Sequence, residues 1–150
     1  MTGESAMPEG ISRASLGDGP VDRFVRLRAP LGVTSFGINK IVLAAGQRNR
    51  IHRHRNQEEV YLVLDGTLTL LVEGEPQELK PGELVRVAPE IRRQLVNRGP
   101  GELTLLALGG MVDHEHVRRD AEAFTAWEDT AGAPPQDVPL PDDLSSAELR

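Results

Sequence analysis

The sequence predicts an all-β domain built from two packed antiparallel sheets, either a sandwich or a double-sheet jelly roll. Residues 21–110 contain short apolar runs that turn signals separate at close intervals, which is the pattern of many short strands. In one run Leu68 and Leu70 share a face, while Thr67 and Thr69 face the opposite way. The run 60–64 is apolar on both faces, as expected for a strand buried between two sheets.

Turn signals that contain glycine separate most of the predicted strands. Asp65-Gly66 lies between two apolar runs and predicts a tight hairpin. Glu73-Gly74 and Pro81-Gly82 mark further turns. The predicted strands cover residues 24–27, 34–43, 50–54, 59–64, 67–72, 77–79, 84–87, 93–97 and 103–108.

Three segments flank this domain. Residues 1–20 are rich in Gly, Ser, Pro and charge, and we expect them to form a flexible arm. Residues 111–129 are expected to form a linker and a short C-terminal helix with Asp120 as its N-cap and its two aromatic residues facing the domain. The acidic, Pro-rich tail at 130–150 has the composition of a disordered segment.

The composition excludes several classes of function. The chain of 150 residues has a net charge of -6, which fits one domain and disfavours broad binding to nucleic acid. It has no cysteine, so disulfides, thiolate metal sites and thiol nucleophiles are excluded. No apolar run is long enough to cross a bilayer, and residues 1–15 lack the apolar core of a secretory signal. We therefore expect a cytoplasmic protein without nucleic-acid or membrane partners.

Arginine is concentrated in two short stretches of the sequence. Such clusters can steer an anionic small molecule, but we interpret most of these side chains as solvated charges on strand edges and loops. The residues are Arg48, Arg50, Arg53, Arg55, Arg92, Arg93 and Arg98.

The strongest functional signal is a His-x-His pair followed by a glutamate. Residues two apart on a strand point to the same face, so His52 and His54 project together. Glu59 opens the next predicted strand, and antiparallel pairing would bring it close to both imidazoles. Two histidines and one carboxylate can bind a divalent metal ion and leave coordination positions open, which suits non-haem iron and also zinc, manganese or nickel.

The spacing around these residues resembles the first motif of the cupin family, G-x5-HxH-x4-E-x6-G. Gly46, His52, His54, Glu59 and Gly66 all occupy their motif positions, and the glutamate before Glu59 then faces the opposite way. The resemblance implies a double-stranded β-helix, the cupin jelly-roll barrel, with a metal site at the two histidines and the glutamate. Cupins usually pair, so the resemblance also implies a homodimer.

The second cupin motif, G-x5-P-x-G-x2-H-x3-N, is only partly present. Gly82 and Asn97 match it, but Ala88 stands at the proline position. Arg93 stands at the histidine position, so the fourth metal ligand of the family is missing. Arginine stays protonated and does not bind metal under ordinary conditions.

Two hypotheses follow for the pocket. In the first, His52, His54 and Glu59 hold a divalent metal, and Arg93 hydrogen-bonds Glu59 or an anionic group of a small ligand. In the second, no metal binds, and Arg93 pairs with Glu59 and anchors an anionic small molecule. Tyr61 shares the inward face of Glu59, so Tyr61 and Arg93 are the candidate catalytic residues, although a core tyrosine with a satisfied hydroxyl is the more common arrangement.

A second His-x-His pair lies outside this frame. His114 and His116 follow the last predicted strand without a matching glutamate or glycine, so we expect a surface linker there, with a role in closing the site as the alternative. Cupins include isomerases, dioxygenases, decarboxylases, lyases and non-enzymatic binders, so the resemblance predicts neither a reaction nor a substrate.

Overall fold

A computed structural model describes residues 8–17, 23–110 and 120–149, and these form two antiparallel sheets of five strands each. The strands are β1 (Phe24–Arg26), β2 (Phe36–Leu43), β3 (Ile51–His54), β4 (Glu59–Asp65), β5 (Leu68–Val72), β6 (Glu75–Leu79), β7 (Leu84–Val87), β8 (Arg93–Val96), β9 (Leu103–Gly110) and β10 (Ala121–Phe124). The first sheet has the order β1-β2-β9-β4-β7 and the second the order β10-β3-β8-β5-β6. This architecture confirms the predicted all-β jelly roll.

The core lies between the two sheets. Tyr61, Val63 and Leu105 reach it from the first sheet, and Leu70 and Leu95 reach it from the second, all with at most 1% of their surface exposed. Each buried side chain of this size contributes about 1.5–3 kcal/mol of hydrophobic stabilisation. The alternation of buried and exposed residues along β9 places every second residue of that strand in the core.

The turn at Asp65-Gly66 differs from the prediction. We expected a tight hairpin there, but β4 and β5 belong to different sheets and do not pair, so the turn carries the chain from one sheet to the other. The hairpin in this region is at Glu73-Gly74, which joins the paired strands β5 and β6. Both turn residues have positive φ, 50° at Glu73 and 87° at Gly74, as a two-residue hairpin turn requires.

The predicted C-terminal helix is wrong over the residues that follow Asp120. Ala121–Phe124 form strand β10, which pairs antiparallel with β3. On its other side β3 pairs with β8, so β10 covers an edge that would otherwise be open. The helical segments in the described ranges are α1 (Arg28–Leu31) and two 3-10 turns (Pro135–Asp137 and Ser146–Glu148), and none of them is long and apolar enough to cross a membrane.

The C-terminal segment 130–149 packs on the barrel, in contrast to the predicted disorder. The backbone N–H of Leu144 donates to the carbonyl of Gly46 at 2.7 Å, and Nε of Arg48 donates to the carbonyl of Asp142 at 2.8 Å. Polar backbone groups of the segment are therefore satisfied by the strand-end loop before β3.

Several clustered arginines contact the part of the chain that follows β9 and are not simply solvated. Nε of Arg50 donates to the carbonyl of Val138, and Arg53 pairs with the carboxylate of Glu122 at 3.1 Å. Nη1 of Arg92 donates to the backbone carbonyls of residues 127 and 129. The interpretation of these three residues as free surface charges is wrong, because each has a partner in the chain beyond β9.

Candidate metal centre

The structure brings together the three predicted ligands. His52 and His54 lie on β3, Glu59 begins β4, and one ligand atom from each falls within 4.8 Å of the others. Nε2 of His54 is 3.1 Å from Oε1 of Glu59, and Nε2 of His52 is 3.8 Å from the same oxygen. The three side chains are 11–16% exposed, so the cluster is mostly buried but still reachable from solvent.

The second nitrogen of each imidazole contacts an oxygen acceptor. Nδ1 of His52 lies 2.9 Å from the carbonyl of Arg50, and Nδ1 of His54 lies 3.1 Å from Oδ2 of Asp120. Because a carbonyl and a carboxylate only accept, each Nδ1 carries the proton, and in the neutral ring Nε2 keeps its lone pair. In that neutral form, two imidazole lone pairs and a carboxylate oxygen converge on one point, where they can hold a metal ion.

This arrangement fits a resident metal ion. Metal-binding histidines almost always donate their other ring N–H to a carboxylate or a backbone carbonyl, and His52 and His54 use one of each. Two imidazole nitrogens and one carboxylate oxygen would be three metal ligands, so coordination positions on the metal would stay open for a further ligand.

The carboxylate of Glu59 is ionised and accepts hydrogen bonds from one neutral donor and one cationic donor. The Tyr61 hydroxyl donates to Oε1 at 2.8 Å and Nη2 of Arg93 donates to the same oxygen at 2.6 Å. Burial raises the pKa of Glu59, but hydrogen bonds from His52 and His54, and their positive charges when the rings are protonated, lower it by more, so its pKa lies well below the usual range.

Arg93 is fully buried, and its guanidinium contacts protein acceptors. Nε donates to the Tyr61 hydroxyl at 3.3 Å, and Nη1 donates to the carbonyls of Pro89 at 3.2 Å and Ile91 at 2.8 Å. Burial lowers the pKa of Arg93, but Tyr61 and Glu59 raise it more, so it stays charged. Arg93 thus neutralises Glu59 from inside the barrel.

Tyr61 is 1% exposed and serves as a hydrogen-bond donor to Glu59. Burial and the neighbouring Glu59 carboxylate raise the pKa of Tyr61, so its hydroxyl keeps its proton. The side chain has the contacts of a core tyrosine with a satisfied hydroxyl, beneath the ligand set.

The barrel has little side-chain volume beside Glu59. Gly109 on β9 pairs with Glu59 of β4 on one side and with Gly37 of β2 on the other. These residues lie on the face of the sheet that points into the barrel. The side chain of Gln57 occupies this space: a Cβ atom at Gly109 would lie 2.6 Å from its Cδ, and its Nε2 donates to the carbonyl of Gly110 at 2.9 Å.

Two residues beside the cluster, Asp120 and Gln57, have no sequence signal for this position. Asp120 is not the helix cap that its sequence context predicts, and no motif spacing connects it with His54, which lies 66 residues earlier. Gln57 falls inside the cupin motif at an unspecified position. His114 and His116 lie outside the described residues.

Comparison with known proteins agrees with this geometry. Residues 39–109 match the Cupin_2 family model, which describes a cupin domain. The chain has the cupin fold. A relative found by sequence, an uncharacterized protein of Methanocaldococcus jannaschii, is 26% identical over 65 residues, which are 43% of this chain and 52% of that protein. This chain thus spans about half the length of that relative.

Solved structures of cupin proteins resemble this structure over most of the chain. A cupin protein from Bacteroides fragilis is 24% identical, with a TM-score of 0.61 over 71% of this chain and 89% of that chain. A sugar phosphate isomerase from the cupin superfamily of Silicibacter pomeroyi is 23% identical, with a TM-score of 0.59 over 81% and 82% of the two chains. At these identities the likeness shows the fold.

Proposed function

We propose that this cupin domain binds one divalent metal ion through His52, His54 and Glu59 and presents it to a small molecule at the barrel mouth. The observation that carries the proposal is the orientation of the two imidazoles. Both have Nδ1 on an oxygen acceptor and Nε2 directed at Oε1 of Glu59, so in the neutral rings the two Nε2 lone pairs point toward the same carboxylate oxygen.

The chain's own residues support this role by holding the carboxylate. Arg93 and Tyr61 donate to Glu59 from the core side, which fixes the carboxylate toward the histidines. When bound, zinc, iron, manganese or nickel would supply a Lewis acid to a coordinated oxygen. The proposed approach of the small molecule is beside Gly37 and Gly109, where the strands carry no side chains of their own and the side chain of Gln57 fills the adjacent space.

The alternative of a metal-free pocket with Arg93 as anion anchor has less support. The Arg93 side chain is fully buried, and its donors contact Glu59, Tyr61 and backbone carbonyls. An anionic ligand would have to displace these acceptors and leave buried groups unsatisfied, at a cost of about 1–3 kcal/mol for each.

Metal stoichiometry tests the proposal. The purified full chain is analysed for metals and titrated with Zn²⁺ and Fe²⁺, together with His52→Ala, His54→Ala, Glu59→Gln and the matched control Glu58→Gln. Glu58 lies beside Glu59 but points outward and is exposed. We expect one equivalent in the wild type and in Glu58→Gln and no stoichiometric binding in the other three variants. A wild type that binds neither ion, or a His54→Ala protein that binds as the wild type does, would refute the metal site.

We also propose that two copies of the chain pair through the outer face of the first sheet. Leu62 lies in register with Leu106 and Leu84, and Val60 lies in register with Leu108, on the side of the sheet that faces away from the core. Lys40 lies in register with Leu106 on one side of this apolar centre, and Arg86 lies in register with Val60 on the other, and a polar rim around an apolar core is the usual anatomy of a protein interface. A second copy brings the same apolar centre to the same place, so a two-fold pair covers it.

A further inference from the structure

We propose that Asp120, which lies beyond the family match at 39–109, is a positioning residue that fixes the metal-binding tautomer of His54. The inference rests on the proposed metal site, but its main consequence exists in the metal-free chain. The barrel motif supplies the ligands, and the segment after β9 supplies the group that orients one of them.

Asp120 is buried and rigidly held. It is 3% exposed, and its Oδ1 accepts from the backbone N–H of Asn56 at 2.9 Å and from the side-chain amide of Asn56 at 3.1 Å. Its Oδ2 accepts from the backbone N–H of Gln57 at 3.0 Å and contacts Nδ1 of His54 at 3.1 Å. Four contacts to one carboxylate leave it a single orientation.

Strand pairing sets the position of Asp120 along the chain. Its carbonyl accepts from the backbone N–H of Arg55 at 2.8 Å, and the next residue, Ala121, pairs with His54 in the register of β10 and β3. The carboxylate therefore reaches His54 from the strand that covers the edge of β3, and not from within the cupin motif.

The chemistry follows from a carboxylate that only accepts. In the neutral ring of His54 the proton lies on Nδ1, toward Asp120, and the Nε2 lone pair is left toward Glu59. The Glu59 oxygen on the Nε2 side already accepts from two other donors, the Tyr61 hydroxyl and the Arg93 guanidinium. His52 obtains the same tautomer from the carbonyl of Arg50 on its own strand and makes no contact with Asp120. The two histidines thus differ in their dependence on the C-terminal segment, which gives an internal control.

Asp120→Asn changes this preference without a large change of volume. The amide has one accepting and one donating end. The Oδ1 position faces two donors of Asn56, whereas the Oδ2 position faces one fixed donor, of Gln57, and the adaptable ring of His54. The amide NH₂ therefore turns to His54, whose Nδ1 becomes an acceptor and whose proton moves to Nε2.

The test measures imidazole tautomers in the metal-stripped full chain, labelled with ¹⁵N-histidine, by long-range ¹H–¹⁵N correlation at alkaline pH. Signals of His54 are assigned by their loss in His54→Gln. The variants are Asp120→Asn and the control Glu122→Gln, which changes a carboxylate on β10 that contacts Arg53 and the N–H of Gly132. Zn²⁺ affinity is measured on the same proteins.

We expect the Nδ1–H form of His54 in the wild type and in Glu122→Gln, and a shift to the Nε2–H form in Asp120→Asn with His52 unchanged. Zn²⁺ affinity should fall about 10- to 100-fold in Asp120→Asn and stay within about twofold in the control. An Nε2–H form of His54 in the wild type overturns the inference without any variant. An Asp120→Asn protein in which both the His54 tautomer and the Zn²⁺ affinity are unchanged also overturns the inference. If His54 of the wild type has the Nδ1–H form but the protein binds no metal, the proposed function is refuted and the positioning by Asp120 is retained.

Discussion

Nη2 of Arg93 lies 2.6 Å from Oε1 of Glu59, at the position where the second cupin motif carries a histidine. The Arg93 side chain is fully buried. The chain offers a matched pair at the surface, because Arg86 and Glu58 form an ion pair between side chains that are 61% and 54% exposed. The adjacent glutamates Glu58 and Glu59 thus pair with arginines in opposite environments.

Arg93→Met should destabilise the protein by about 3–5 kcal/mol, because it leaves the Glu59 carboxylate buried without its cation. Arg86→Met should change the free energy of unfolding by less than about 1 kcal/mol, because solvent screens the exposed pair. Chemical denaturation of both variants measures the difference. Equal effects of the two substitutions would show that burial does not distinguish the pairs.

Gly109→Ala should displace the Gln57 side chain. A Cβ atom there would lie 2.6 Å from Gln57 Cδ, whereas a Cβ atom at Gly110 would have no neighbour within 4 Å. Because the amide loses its hydrogen bond to the carbonyl of Gly110, we expect a cost of about 1 kcal/mol, and no such cost in Gly110→Ala. In a Gln57→Ala background the cost of Gly109→Ala should vanish. A cost that persists there would mean that another group fills the space beside Glu59.

Gly66→Ala should be more destabilising than Gly82→Ala, although both glycines have positive φ, 81° and 86°. A Cβ atom at Gly66 would lie 2.5 Å from the carbonyl oxygen of Glu102, which is backbone and cannot move aside, whereas Gly82 has open space. We expect about 1–2 kcal/mol for Gly82→Ala from the backbone conformation, and roughly a further 1–3 kcal/mol for Gly66→Ala from the contact. Thermal or urea unfolding compares them, and equal losses would contradict the steric account.

Leu84→Glu should separate the proposed homodimer. Leu84 is 63% exposed at the edge of the apolar face, and a charge there would be buried between the copies. Leu140→Glu is the matched control, since Leu140 is 45% exposed on the C-terminal segment. Light scattering should give twice 16.4 kDa for the wild type and for Leu140→Glu, and 16.4 kDa for Leu84→Glu. A monomeric wild type, or a dimeric Leu84→Glu, would exclude this interface.

The central strands and the cluster of His52, His54 and Glu59 could be predicted from the sequence because their signals are local. Alternation and glycine punctuation locate the strands, and a spacing of two residues puts His52 and His54 on one face. The distance from Glu59 to the closing glycine distinguishes Glu59 from Glu58, and the structure agrees, with Glu59 buried and Glu58 exposed.

The features that the sequence did not predict depend on contacts between distant segments. The residues Ala121–Phe124 have good helix propensity, but the open edge of β3 offers backbone partners that an isolated helix does not have, so a strand forms. Asp65-Gly66 has the composition of a hairpin turn, yet whether a turn stays within one sheet depends on where the following strand packs. The role of Asp120 follows from the same long-range pairing.

The measurement that tests the account most directly is an anomalous-scattering crystal structure of the full chain soaked with Zn²⁺, collected on both sides of the zinc absorption edge. The account predicts one edge-dependent peak between Nε2 of His52, Nε2 of His54 and the Glu59 carboxylate, with Nδ1 of His54 still on Asp120. A map with no peak among these three side chains, while Arg93 still pairs with Glu59, would contradict it.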